Sequence, residues 1–306
     1  MAASDYHPGE RAVQRRSGLL DSAASVARIV RNDVPDVAAR FLADRPMLVV
    51  GAADGAGRMW ASLLTGPPGF AAATGPTTVT VRADPLPGDP LHQVLTDASG
   101  SVHVGMLAID PGTRRRMRLN GTTRPAPQGF LVDLDQVYAN CPKYIQRREL
   151  PSFAPLLAPS APRRGQALDP GQLALVAAAD TFFVATADRD GNADASHRGG
   201  RPGFLRALSP TRLRWPDYAG NAMFNTLGNI DVNPRTGLLL TDWTTGTTLQ
   251  LSGTAAIDWD GGERAVDFTV EHAVETPHAS PLRWSDPEYS RFNPPLEPGG
   301  AGGGGG

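Results

Sequence analysis

An internal duplication limits the possible folds of this chain more than any other feature of its sequence. Residues 48–81 align without a gap onto residues 182–215, and 13 of the 34 aligned positions are identical. With a two-residue shift the match resumes, so that residues 105–110 correspond to residues 237–242. Unrelated segments share far fewer identities, and the chain therefore contains two copies of one folding unit.

The two copies differ in polarity at two places. Residues 63–64, Leu-Leu, correspond to residues 197–198, His-Arg. Residues 81–83, Val-Arg-Ala, correspond to residues 215–217, Trp-Pro-Asp. Because the polar donors were acquired by the second copy, we expect one principal ligand site, and we expect it on that copy.

Length, charge and cysteine content exclude several classes of protein. A chain of 306 residues is long enough for two domains of about 120 residues each. Its net charge of −2 offers no electrostatic field for nucleic acid or a membrane surface, and no apolar stretch approaches the ~18 residues of a membrane span. The N-terminus lacks a hydrophobic signal region and the single cysteine, Cys141, fits a reducing compartment, so we expect a cytoplasmic protein.

Short apolar runs and turn residues predict mostly strands. The runs 47–53 and 182–187 each precede an Asp-containing turn that ends in glycine, which is typical of a β-hairpin. Further strands are predicted at residues 106–110, 117–121, 238–243 and 248–257. The pattern predicts a mainly β protein, made of two tandem barrels with a few peripheral helices.

Five segments follow from these patterns. Helical spacing in residues 21–44 predicts two helices, with Pro35 in the first turn of the second, whereas residues 1–18 are expected to be loosely ordered. Residues 134–150 are predicted to form a helix with an interior proline, and residues 281–295 a strap on the outside of a barrel. The predicted domains are an N-terminal helical arm (1–46), a first barrel with its closing helix (47–150), a linker (151–170), a second barrel (171–295) and a disordered glycine-rich tail (296–306).

Two familiar functional patterns are rejected. The glycine-rich residues 51–57 do not form a phosphate loop, because the second copy lacks the first glycine and a strand follows, so a hairpin turn is predicted. Ser196, His197 and Arg198 are neighbours on a strand and point to alternate faces, which excludes a hydrolytic triad. The other histidines show no metal-ligand spacing, and no acid, base or nucleophile stands out as catalytic.

Two segments of the second copy have the polarity of an anion site. Ser196, His197 and Arg198, followed by two glycines, would present a cationic fork and free amides to a phosphate or a flavin edge; the alternative is a solvated strand edge. Residues 215–221 lead from a strand into a short helix at residues 223–231. The polar side chains at the start of that helix would form an anion site or, alternatively, plain caps; they are Asn221, Asn225, Thr226 and Asn229.

Basic residues of the first copy offer two further candidates. Arg114, Arg116 and Arg118 alternate along a predicted strand, and the pattern favours a solvated face. The alternative is a guanidinium that crosses the seam between the domains to a ligand phosphate. Lys143 is the only lysine in the chain. Codon bias in a GC-rich genome would explain the preference for arginine, whereas a need for a compact charge would explain the one exception.

The second copy resembles the pyridoxamine 5′-phosphate oxidase-like, FMN-binding split-barrel family. The resemblance is strongest in residues 182–208, 213–243 and 249–257, and residues 109–121 and 140–148 resemble tandem members of the family. It implies two tandem split β-barrels that form an intrachain pseudo-dimer, or a homodimer, with FMN in the groove between barrels. The flavin contacts that the resemblance implies are Ser196, His197, Arg198, Trp215, Pro216, Asp217, Asn221, Asn225 and Thr226, with Lys143 closing the site from the other barrel.

The resemblance implies an FMN-dependent oxidoreductase that acts on a small molecule and takes electrons from NADH, NADPH or a reductase. Arg198 would contact the phosphate, and Trp215 or Phe224 would lie beside the ring. The oxidases of the family have an Arg/Lys-rich phosphate cradle and a closing substrate-binding motif; neither is recognisable in this sequence. The alternatives are a reductase that uses the deazaflavin coenzyme and a non-catalytic flavin- or haem-binding protein, with His92, His103 or His197 as a haem ligand.

Overall fold

The structure is a computed structural model that describes residues 6–97, 100–150, 152–154, 161–260 and 264–295. Three helices precede the first sheet: α1 (Pro8–Arg16), α2 (Leu20–Ala27) and α3 (Asp36–Ala43). The prediction of two helices after residue 20 is confirmed, although Pro35 is the residue before α3 rather than part of its first turn. None of the helices in the described ranges is long and apolar enough to span a membrane.

The N-terminal segment is ordered from residue 6, so the prediction of a loosely ordered arm over residues 1–18 is wrong for its described part. Residues 1–5 lie outside the described residues. Helix α1 begins with a capping box, in which the His7 side chain accepts a backbone N–H and the Glu10 side chain accepts the His7 N–H. Val13 and Gln14 are each 1% exposed, because this helix packs on the second barrel. Two residues of the sequence indicate this helix start: Pro8 in the first turn, and Glu10 three positions after the cap residue His7.

Barrel 1 is a seven-stranded antiparallel sheet. Its strands are β1 (Met47–Ala53), β2 (Met59–Thr65), β3 (Ala71–Gly75), β4 (Thr78–Val81), β5 (His103–Asp110), β6 (Arg115–Pro125) and β7 (Phe130–Ala139), with helix α4 (His92–Thr96) between β4 and β5. Their order across the sheet is β2-β1-β5-β6-β7-β4-β3.

Barrel 2 repeats this arrangement. After β8 (Ser152–Phe153), β9 (Arg163–Gly165) and α5 (Pro170–Ala178), its strands are β10 (Thr181–Ala187), β11 (Ala193–Gly199), β12 (Arg206–Ser209), β13 (Arg212–Pro216), β14 (Arg235–Thr241), β15 (Thr248–Asp258) and β16 (Ala265–Thr276), with helix α6 (Asn225–Val232) between β13 and β14. The order β11-β10-β14-β15-β16-β13-β12 matches barrel 1 strand for strand, and β9 also pairs with β16. The mainly β fold of two tandem split barrels is confirmed.

The predicted helix over residues 134–150 is wrong. Its first six residues belong to β7, whose burial alternates at Phe130, Val132 and Leu134 with the period of a strand. Residues 140–150 contain no helix; Tyr144 lies in the left-handed region at φ 66°. The polar residues at helical spacing in this segment alternate equally well along a strand, so the short pattern did not distinguish the two structures.

The linker between the barrels and the strap after them make more contacts with the rest of the protein than the sequence predicts. The linker 151–170 contributes β9, which pairs with β16, and β8, which pairs with β17 (Leu282–Arg283). The strap at residues 281–295 does not lie only on the outside, because Leu282 is 1% exposed in an apolar cluster formed by both barrels. The tail at residues 296–306 lies outside the described residues.

Three apolar clusters hold the protein together. One fills each barrel, and the third lies at the seam where β1, β2 and β5 of barrel 1 face β10, β11 and β14 of barrel 2. Two equivalent glycines allow this close contact. A Cβ on Gly105 would lie 2.3 Å from the Asp194 Cα, and a Cβ on Gly237 would lie 2.6 Å from the Trp60 Cα. The seam is therefore a backbone-to-backbone contact that a methyl group would force apart.

We expect Gly105→Ala and Gly237→Ala each to lower the free energy of unfolding by about 1–3 kcal/mol, because the added methyl group meets backbone that cannot move independently. Gly55→Ala is the matched control, since a Cβ there meets no atom within 4 Å. Denaturant unfolding of the three variants tests this. Equal stability of all three would contradict the close seam.

Candidate functional site

A cavity of about 100 Å³ lies at one end of the seam between the barrels. Barrel 1 contributes β6 and residues 140–144, and barrel 2 contributes the end of β11 and residues 217–227. We call it the cationic cavity, after the guanidinium groups of Arg116, Arg118 and Arg198 that line it. It lies on the second copy, at the position where the sequence comparison predicts the ligand site.

Strand β11 brings the Ser-His-Arg sequence into the seam. It is the edge strand of the second sheet and packs against β5 and β6 of barrel 1. Ser196 and His197 are 0% and 3% exposed, so the alternative of a solvated strand edge is wrong. The Arg198 guanidinium bends back to donate to the Ser196 Oγ at 2.8 Å, because residues two apart on a strand share a face.

Two arginines of β6 cross the seam. Arg118 donates to both carboxylate oxygens of Asp194 at 2.9 Å and to the Ser196 Oγ at 2.5 Å. Arg116 donates to the His197 carbonyl at 3.3 Å and lies 3.1 Å from the His197 Nδ1. The favoured prediction of a solvated face is therefore wrong for these two residues, because the second copy covers that face of the sheet. Arg114 lies outside β6, in a turn at φ 53°.

The charges in the cavity do not balance. Among the described residues, Asp194 forms an ion pair with Arg118, and the nearby Asp217 pairs with Arg264. Arg116 and Arg198 have no ion pair with any described carboxylate. Burial, followed by the charges of Arg118 and Arg198, lowers the pKa of Arg116 to about 9. Burial also lowers the pKa of Arg198.

The arginines also determine the state of His197. Burial, followed by the charges of Arg116 and Arg198, holds the pKa of His197 well below its usual range. The imidazole is therefore neutral at pH 7. Because an Arg116 N–H can only donate, the His197 Nδ1 accepts and the ring proton lies on Nε2.

Four buried polar atoms on this cavity have no hydrogen-bond partner among the described residues. They are the Nε atoms of Arg116, Arg118 and Arg198 and the Oγ1 of Thr226. An unpaired buried donor costs about 1–3 kcal/mol. Two unpaired guanidinium charges and four unpartnered polar atoms fit an anionic ligand whose oxygens accept from several donors at once.

Helix α6 begins at the cavity, so the short helix predicted at residues 223–231 is confirmed, with bounds Asn225–Val232. The residue before it, Phe224, is in the left-handed region at φ 61° and provides no side-chain cap. The Asn221 side chain instead donates to the Asn140 Oδ1 of barrel 1 at 3.0 Å, and the Asn225 side chain donates to the Glu10 Oε1 at 2.7 Å. Plain capping does not account for these asparagines. Asn229 bonds Thr186 at 3.0 Å and lies away from this cavity.

The structure brings most of the predicted contacts together. The predicted residues that line the cavity are His197, Arg198, Asp217, Asn221, Asn225, Thr226 and Lys143. Ser196 and Pro216 are not part of the lining. The Ser196 Oγ accepts from Arg118, which does line the cavity. Trp215 is 1% exposed in the core of barrel 2 against Phe182 and Phe268, so its ring does not face the cavity, whereas Phe224 does.

Further residues of the lining come from β6, from residues 140–144 of barrel 1 and from the segment before α6. Arg116 and Arg118 were considered only as the less favoured alternative. Tyr144 and Tyr218 form a tilted ring pair at 5.1 Å, and the Tyr144 hydroxyl donates to the Ala219 carbonyl at 2.9 Å. Lys143 lies with its Nζ 5.8 Å from the Phe292 ring centre. Tyr144 follows Lys143 in the segment that was predicted to be a helix, and it reaches the cavity from an irregular segment instead.

The residues of the equivalent position in barrel 1 that correspond to Arg118 and Arg198 carry no positive charge. Gln250 of β15 takes the place of Arg118 and donates to the Ser62 Oγ and the Asp89 Oδ2, both at 3.0 Å. Leu64 takes the place of Arg198 and is 1% exposed in the core of barrel 1. The cross-seam contact is thus present in both copies, whereas the excess positive charge is present once among the described residues.

Comparison with known families supports the resemblance seen in the sequence. Residues 168–284 match the family model described as pyridoxamine 5′-phosphate oxidase. The match covers barrel 2 from before α5 through the start of the strap. The resemblance to the pyridoxamine 5′-phosphate oxidase-like family is therefore confirmed for this part of the chain. Among curated proteins no match is found.

Solved structures similar to this chain correspond to about one barrel each. HupZ of Group A Streptococcus is 17% identical and covers 34% of this chain and 90% of its own, with a TM-score of 0.28. A protein related to general stress protein 26, of the pyridoxinephosphate oxidase family, from Clostridium acetobutylicum is 15% identical and covers 37% and 89%, at 0.26. A FAD-binding protein of Mesorhizobium loti is 12% identical and covers 38% and 97%, at 0.28. Scores this low support no further argument.

We expect Arg118→Leu to lower the free energy of unfolding by about 3–5 kcal/mol, because it leaves the buried Asp194 carboxylate without its partner. The control is Arg124→Leu, which breaks the exposed pair with Asp133 and should change stability much less. The double variant Arg118→Leu/Asp194→Leu should recover part of the loss. Equal effects of the two single variants in denaturant unfolding would contradict the central role of this pair.

Proposed function

We propose that the cationic cavity binds the phosphate of FMN and that the protein is a flavin-dependent oxidoreductase acting on a small molecule. The observation that carries this proposal is the set of three guanidinium groups with buried Nε atoms, of which one is neutralised by an ion pair with Asp194. Arginine forks match the oxygens of a phosphate, and burial strengthens the attraction. The family match of barrel 2 supports a flavin as the molecule that carries the phosphate.

The neighbouring side chains suit the rest of such a ligand. The cavity volume of about 100 Å³ suits a phosphate group rather than the flat ring system. Tyr144, Tyr218 and Phe224 also line the cavity and would offer apolar surfaces to the part of the ligand next to the phosphate. Thr226 would donate through its unpartnered hydroxyl, and Lys143 would add a charge from barrel 1.

FMN supplies the electron transfer when it is bound, and this chain binds and orients it. Arg116 and Arg198 would hold its phosphate at the seam between the barrels. Neutral His197 contributes no charge, and its Nδ1 is occupied by Arg116. We assign no catalytic acid, base or nucleophile. The substrate is proposed as a small organic molecule, and the electron donor as NADH, NADPH or a reductase.

The deazaflavin coenzyme is the alternative that the test must separate from FMN. Its acidic tail requires a basic groove beyond the phosphate. The cavity beyond Asn225 is instead lined by carboxylates, including Asp135 and Asp188. This charge disfavours a polyanionic tail in that direction and favours the shorter FMN.

FMN titration of the full-length protein, followed by flavin fluorescence, tests the proposal. We expect Arg198→Ala and Arg116→Ala each to weaken FMN binding by about tenfold or more, because each removes a charged donor to the phosphate. Leu64→Ala changes the position equivalent to Arg198. It should bind FMN normally while losing about 2–5 kcal/mol of stability from barrel 1.

The outcomes separate the possible ligands. Riboflavin, which lacks the phosphate, should bind much more weakly than FMN. Equal binding of FMN and riboflavin, or equal loss in Leu64→Ala and Arg198→Ala, would contradict the proposed site. Tighter binding of the deazaflavin coenzyme than of FMN would support the alternative. Anaerobic bleaching of bound flavin by NADH or NADPH would identify the electron donor.

A further inference from the structure

A second and larger cavity lies beyond the Arg118–Asp194 pair. Its volume is about 440 Å³, and it lies between α1, the start of α6, the β10–β11 turn and the sheet of barrel 1. We call it the acidic cavity, because Glu10, Asp135, Asp188 and Asp194 line it. Asn225 lines both this cavity and the cationic one. Two cavities of opposite charge therefore lie side by side at the seam.

Glu10 is the buried carboxyl group of this cavity. It is 5% exposed, and its carboxylate accepts from the His7 backbone N–H at 2.9 Å and from the Asn225 side chain at 2.7 Å. Both donors are neutral. His7 Nε2 lies 3.7 Å from the carboxylate, but burial lowers the pKa of His7 and so disfavours its cationic form. Glu10 thus has no strong cationic partner among the described residues.

The surroundings of Glu10 keep it from ionising. Burial raises its pKa to about 8; Asp194 and Asp188 raise it as well, whereas the His7 N–H and Arg118 lower it. The other titratable groups on the cavity are His103 of β5 and Asp135 of β7. The charged form of Glu10 lacks a counterion, and a cation bound in this cavity would supply one.

An independent observation indicates that a donor is missing here. Asn120 is 7% exposed, and its Nδ2 donates to the Gln136 Oε1 at 3.1 Å and to the Asp194 Oδ1 at 3.3 Å. Its Oδ1 is buried and has no partner among the described residues. This oxygen can only accept, so the group that satisfies it must carry an N–H or O–H.

The packing of α1 holds Glu10 in place. A Cβ on Gly228 of α6 would lie 2.6 Å from the Glu10 Cα, so the two helices touch through backbone. Gln14, one turn later, donates to the Met223 carbonyl at 3.1 Å. The carboxylate is therefore fixed before any ligand arrives, which reduces the entropy lost on binding.

We propose that the acidic cavity binds a small organic cation, with an ammonium or guanidinium group that donates to Glu10 and to the Asn120 Oδ1. The volume of the cavity is that of a molecule with several carbon atoms rather than of a bare ion. The carboxylates of Asp188 and Asp135 add a negative electrostatic potential around the rest of the ligand. This inference rests on residues other than the arginines of the cationic cavity.

Calorimetric titration of the full-length protein with 1,4-diaminobutane tests the proposal, with 1,4-butanediol as the uncharged probe of similar shape. The diamine should bind and the diol should not. Glu10→Gln should weaken diamine binding about tenfold or more. Gln keeps the acceptor for Asn225 and suits the capping box, so the variant should fold, which circular dichroism verifies.

Glu271→Gln is the matched control, since Glu271 is an exposed carboxylate of β16 away from the cavity. It should bind the diamine as the unchanged protein does. The proposal is overturned if the diol binds as well as the diamine, or if Glu10→Gln and Glu271→Gln behave alike.

Proton release provides a second readout. Because the pKa of Glu10 is about 8, this group is mostly protonated at pH 7, and a bound cation favours its charged form. Diamine binding at pH 7 should therefore release up to about one proton, measured by calorimetry in buffers of different ionisation enthalpy. Glu10→Gln should abolish the release. Binding without proton release would contradict the role of Glu10.

Discussion

The ion pair between Arg118 and Asp194 is the contact on which the seam and both cavities depend. Each partner belongs to a different barrel, and their side chains are 7% and 5% exposed. Burial alone would lower the pKa of Arg118, but the Asp194 carboxylate reverses this and raises it. Removing two charges from water is costly, so such a pair persists where both partners are held in good geometry. It divides the space at the seam into a cationic and an acidic cavity.

The duplication explains why this arrangement occurs once. The two barrels share strand order, and each places an edge strand against the other. At the equivalent contact of barrel 1, the Gln250 side chain donates to the Ser62 Oγ and to the Asp89 carboxylate, so an amide takes the place of the guanidinium. Leu64 fills the core where Arg198 lies in barrel 2. The position of Leu64 in barrel 1 is therefore apolar, whereas the position of Arg198 in barrel 2 is charged. Because Arg116 and Arg118 belong to β6, a site on barrel 2 also requires this strand of barrel 1.

The sequence was sufficient to predict the duplication, most of the strands it named and the copy that carries the buried His197 and the arginine Arg198, because these depend on local periodicity and on comparison of the two copies. It was not sufficient to predict which side chains become buried where the two barrels meet. Arg116 and Arg118 alternate on β6 as surface residues do, and only the arrival of β11 buries them. Trp215 and Arg198 were both predicted to contact the ligand, yet the Trp215 ring enters the core and the Arg198 guanidinium lies at the seam. The prediction of a helix over residues 134–150 was wrong because a strand with a polar face can also match a helical period.

The number of FMN molecules bound by one chain tests the central claim most directly. Equilibrium dialysis of the full-length protein at saturating FMN measures it without a reaction or an assumed substrate. The account predicts one FMN per chain, because half-buried arginines without an ion pair occur at one of the two equivalent positions. Two FMN molecules per chain would show that the equivalent position of barrel 1 binds equally well, and none would show that the arginines serve another purpose. Either result would contradict the proposed site.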